Sequence, residues 1–133
     1  MPKPTPKRLI ADDMAGLEVI SAATQDAVSR VADFSFLSKQ RRFTLELNRF
    51  HWESAGKRGP YFRSRSILGF DGVMNVRARN LPPQSSDDVQ SVLAITFEET
   101  EMPAGLITVT FAAGGEIALE VECIDVTLYD TDK

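Results

Sequence analysis

The chain has a single cysteine, Cys123, so no internal disulfide can form, and nothing in it asks for an oxidising compartment. It also has one histidine, His51, and one tryptophan, Trp52, side by side in "NRFHWES". One histidine and one cysteine do not build an ordinary zinc site, which draws its ligands from several such side chains. The acidic end "YDTDK" lacks the ligand spacing and the glycine of an EF-hand loop. There is no glycine-x-serine-x-glycine elbow, no phosphate-binding P-loop and no glycine-rich dinucleotide turn after a strand. No metal and no cofactor is therefore expected, and catalysis is the least supported class of function. No apolar run approaches the ~20 residues of a membrane-spanning helix. The N-terminal stretch "MPKPTPKRLIADD" is basic but has no apolar core of a signal peptide. These absences lead to the expectation of a cytoplasmic protein with no membrane partner.

What is present suits one domain over residues 1–133, with 43% hydrophobic and 26% charged residues. The net charge of −4 hides a strong asymmetry. Residues 39–79 carry ten basic and three acidic side chains, whereas residues 80–133 carry one basic and eleven acidic ones. Two readings stay open. Basic and acidic strands lie side by side and their exposed faces pair, or a basic face meets an anionic partner.

Residues 1–8, with three prolines and three basic residues, read as a flexible arm. Asp12 or Asp13 is placed to cap a helix, and Met14, Leu17, Ile20 and Ser21 recur at helical spacing, which predicts one helix near residues 12–24. The period then changes to two. Val28, Ala32, Phe34 and Phe36 fall on one parity, "SKQRR" is a polar turn, and Phe43, Leu45 and Leu47 alternate after it, which reads as a hairpin. A long extended stretch runs from Arg63 to Leu81, with Phe70, Met74, Val76 and Ala78 on one parity, Arg77 and Arg79 on the other, and Asp71-Gly72 marking a turn or bulge inside it. Leu93, Ile95 and Phe97 alternate, as do Ile107, Val109 and Phe111, and Ile117, Leu119 and Val121. Gly114-Gly115 supplies the tight turn between the last two runs. The parity switches near Cys123, which requires a bulge or bend before Ile124, Val126 and Leu128. The fold class is α+β: one N-terminal helix packed on a curved antiparallel sheet or partly closed barrel of about six to seven strands.

Several residues are candidates for binding. Arg63 with Arg65, and Arg77 with Arg79, are each spaced by two, so each pair shares one sheet face. With Arg49, His51 and Trp52 near in sequence, a basic and aromatic patch for RNA or a phosphorylated ligand is one reading. The other is an arginine ladder that pairs with Glu116, Glu120, Glu122 or Asp125 on neighbouring strands. "NRFHWES" itself reads as a strand end, with Trp52 at the rim of the core. A small enzyme would need His51 or Cys123 beside a carboxylate in a pocket.

Two long segments carry a family resemblance. "LIADDMAGLEVISAATQDAVSRVADFSFLSKQRRFTLELNRFHWE" resembles the start, and "LAITFEETEMPAGLITVTFAAGGEIALEVECIDVTLYD" the C-terminal half, of the bacterial family called domain of unknown function 2948. The likeness covers nearly the whole chain apart from the proline-rich arm. It implies a small bacterial cytoplasmic protein, in a family found chiefly in alphaproteobacteria, and brings no site residues with it. The reading that best fits the residues is a non-catalytic binding or protein-interaction module. Its partner would be another protein or a second copy of the chain, met through sheet edges.

Overall fold

The computed structural model describes residues 7–50 and 63–131. Their elements run in the order β1 (Arg8–Ala11), α1 (Met14–Thr24), β2 (Val28–Arg30), a 3-10 turn (Val31–Asp33), β3 (Phe34–Leu37) and β4 (Arg42–Phe50). Then come β5 (Arg63–Asp71), β6 (Val73–Arg79), β7 (Val89–Glu99), β8 (Gly105–Phe111), β9 (Glu116–Val121) and β10 (Val126–Asp130).

All pairings are antiparallel, and they order the strands β1-β10-β5-β4-β2-β7-β8-β9-β6. β5 occupies one edge of β4 along its whole length, so β2 and β3 share the other. β7 joins two halves of the sheet: Val89 to Ser91 pair with β2, and the residues from Val92 onward pair with β8. A register shift between Val92 and Ala94 marks the bend. The halves face each other across one core. Phe34 of β3 stacks on Phe111 of β8 with ring centroids 5.7 Å apart. The two ends of the strand order, β1 and β6, do not pair, so the sheet is not closed.

The sheet has ten strands rather than the six to seven expected, and the chain is mostly β. Three short or broken elements account for the difference. β1 lies where only an arm and a helix cap were read, and Arg8 pairs with Tyr129. β2 has three residues and is cut from β3 by the 3-10 turn. The extended stretch after Arg63 is two strands that turn a corner at Gly72, where φ is +71°. That left-handed backbone suits glycine because a Cβ would crowd the carbonyl.

The single helix falls within the predicted span. Asp13 is its N-cap, its Oδ1 accepting the Gly16 N–H at 2.7 Å. Leu17, Ile20 and Thr24 are buried, and the helix packs on β7, β1 and β4. Ser21 Oγ reaches across to accept the N–H of Ile95 at 2.9 Å, beside the bend in β7. Strand alternation fills the rest of the core. β8 and β9 bury every second residue, with Ile107, Val109, Ile117 and Leu119 essentially inaccessible. No helix among the described residues is long and apolar enough to cross a membrane.

Candidate functional site

Arg49 continues the inward parity of Phe43, Leu45 and Leu47, and its side chain is 0% exposed. Its guanidinium makes a two-pronged contact with Asp130 of β10: Nε to Oδ1 at 2.8 Å and Nη2 to Oδ2 at 3.0 Å. Ser66 Oγ donates to the same carboxylate at 2.7 Å, and the Lys7 N–H donates at 3.0 Å. Burial pushes the Asp130 carboxyl up, but the bonds from Arg49, Ser66 and Lys7 outweigh it and hold the group below the usual carboxylate range. This buried pair closes one end of the core.

The other candidate arginines point outward. Arg65 of β5 is partly exposed, and its Nη2 lies 3.5 Å from Glu46. Arg63 is exposed at the start of the same strand. Arg79 of β6 donates to Glu116 at 2.9 Å. Arg77, two residues earlier, stands opposite Ala118. His51 and Trp52 lie outside the described residues. Arg65 lines one cavity, and Arg77 with Arg79 line another. Three arginines of the basic middle segment are spent on the acidic final third. Arg41 pairs with Glu122, Arg49 with Asp130 and Arg79 with Glu116. The ladder anticipated from the i, i+2 spacing is therefore present for Arg79, though not for Arg77.

The cavity that contains Arg65 has a volume of about 260 Å³ and is lined by both polar and apolar side chains. Arg30 and Arg65 look into it together with Asp33 and Glu46, which neutralise them. Among the described residues, no group of three or more His, Cys, Asp or Glu side chains is placed to hold a metal ion.

A different feature arises from the open sheet. Among the described residues β3 pairs only with β4 and β6 only with β9, so within them each presents a free edge. The two edges start together where the Val73 N–H donates to the Arg41 carbonyl at 2.9 Å. Between them lies an apolar slot of about 170 Å³. Phe34, Phe36 and Phe43 form one wall, and Val76, Ala78 and Ile117 the other. Leu81 and Pro82 cover one end, held there by Gln84, whose Nε2 donates to the Phe34 carbonyl at 2.7 Å. Phe36 and Ala78 have inward parity, yet both are exposed, because no strand among the described residues lies over them. Leu37 and Met74 add further exposed apolar surface on the same two strands. The alternation of Val76 and Ala78 was legible in the sequence. That β6 ends the sheet was not, since its neighbour β9 begins 37 residues downstream of Arg79.

No curated protein and no solved structure matches the chain. A family model does match it, over residues 7–133, and the chain therefore belongs to the family described as protein of unknown function DUF2948.

Proposed function

We propose that the protein is a non-catalytic interaction module that captures an extended segment of a partner protein along the free edge of β6. The observation that carries this reading is the slot: two strand edges, unpaired among the described residues, flanking apolar side chains of core parity that stay open to solvent. A strand added to such an edge gains main-chain hydrogen bonds from the ladder and specificity from alternate side chains. At about 170 Å³ the slot is below the roughly 300 Å³ at which small-molecule pockets begin, and fits one or two peptide side chains. A place in the bacterial cytoplasm is part of this reading, supported by the lone cysteine Cys123.

The RNA or phosphoryl-ligand reading draws less support. Of the arginines it would use, Arg49 is buried on Asp130 and Arg79 is paired with Glu116.

Selection from a random-peptide display library tests the proposal. Selected peptides should bind the protein and lose at least about tenfold in affinity to the variant Ala78→Lys, which puts a charge in the slot; each tenfold is about 1.4 kcal/mol. Peptides that bind Ala78→Lys as well as they bind the native chain would place the binding surface elsewhere and refute the proposal.

A further inference from the structure

Resting on the docking reading above, we infer that the segment taken up by β6 alternates apolar and acidic residues, as β9 already does on the other side of the same strand. β6 shows two faces to any neighbour. Its inward face carries Val76 and Ala78, and its outward face carries Asn75, Arg77 and Arg79. β9 meets those faces with Ile117 and Leu119 inward and with Glu116 and Glu120 outward. Two of its outward contacts are specific: Arg79 donates to Glu116 at 2.9 Å, and Asn75 donates to Glu120 at 2.7 Å. A strand on the free edge sees the same two faces, so the same alternation fits it.

Charge favours an acidic segment further. Arg77 sits between Asn75 and Arg79 on the outward face, and its β9 neighbour is Ala118, which offers no charge. It makes no ion pair with any described residue. An acidic side chain directly across from Arg77 would therefore meet an uncompensated cation. The same arginines argue against a second copy of the chain as the occupant. Antiparallel pairing of β6 with β6 centred on Ala78 would set Arg77 opposite Arg79 of the other copy, pairing centred on Arg77 would set it opposite its own equivalent, and like charges directly opposite are destabilising.

The probe is a synthetic peptide of the sequence EIALEVE, which is residues 116–122, compared with its charge-reversed form KIALKVK. Both are titrated into the full-length protein at low salt and followed by calorimetry. The acidic peptide is expected to bind at least about tenfold more tightly than the basic one, and Arg77→Glu should narrow that preference by at least about threefold, the scale of one cross-strand charge pair. Arg77 is exposed, so the variant should fold, which circular dichroism checks, and Arg77→Gln serves as the milder second variant, expected to narrow the preference in the same direction. Equal binding of the two peptides, both abolished by Ala78→Lys, would overturn the acidic pattern and leave the docking site standing. Failure of both peptides, while library-selected peptides still bind at the slot, would overturn it as well. A dimer in sedimentation that Arg77→Glu strengthens or breaks would make a second copy the occupant and overturn it too.

Discussion

Arg49 and Asp130 show how a charge comes to lie inside a small β protein. Each continues the inward parity of its strand: Phe43, Leu45 and Leu47 lead to Arg49, and Val126 and Leu128 lead to Asp130. The parity was legible in the sequence. The pairing was not, because β4 and β10 meet only through β5, and nothing local says that those three strands are neighbours. A buried ion pair is weak evidence for stability, but removing one partner leaves an uncompensated buried charge. Arg49→Ala or Asp130→Ala should therefore cost about 3–5 kcal/mol in urea unfolding, and the double change Arg49→Met with Asp130→Leu should cost clearly less than the sum of the singles. The pair also sets a pH dependence. The Asp130 carboxyl titrates lower in the folded chain than in the unfolded chain, where it has a value of about 3.9. Its contribution is thus present above that value and lost as pH falls through the folded one. Unfolding midpoints measured between neutral pH and about pH 3 should drop on the acid side, and Asp130→Asn should flatten that drop.

At the scale of elements, two devices turn an alternating sequence into a folded-over sheet. One is the corner at Gly72, which sends β5 into one half and β6 into the other. The Asp71-Gly72 step announced a turn or bulge, but a turn signal does not say that the chain changes partners there. Gly72→Ala should cost about 1–2 kcal/mol for a non-glycine residue held at positive φ, seen as a lower urea midpoint with an unchanged slope. The other device is the bend in β7. There the Ser21 hydroxyl accepts the Ile95 N–H, so the helix supplies a bond at the bend. Ser21→Ala should leave that amide short of a partner and destabilise the chain by about 1–3 kcal/mol. The helix and the β8–β9 hairpin were readable, because a cap, a stripe and the Gly114-Gly115 turn are local signals. The short β1 was not, because four residues give no period to count, and β2 merged with β3 into one apparent run because nothing in the alternation announces the 3-10 turn between them.

Over the whole molecule, part of the charge asymmetry of the sequence resolves into ion pairs of Arg41, Arg49 and Arg79 with the acidic final third. The basic middle segment supplies β4, β5 and β6, and the acidic final third supplies β9 and β10, which lie against them. What the pairing leaves over is one side of the sheet, between β3 and β6, where core-parity side chains meet solvent beside Arg77. The account rests on that side being an open edge that accepts a strand. Amide hydrogen exchange, read residue by residue in the free protein and after adding the EIALEVE peptide, tests it most directly. The account predicts that β6 amides exchange faster than those of the interior strand β8 in the free protein, and slow selectively when the peptide is present. Protection of β6 equal to that of β8 without any peptide, or peptide-induced protection confined to other strands, would contradict it.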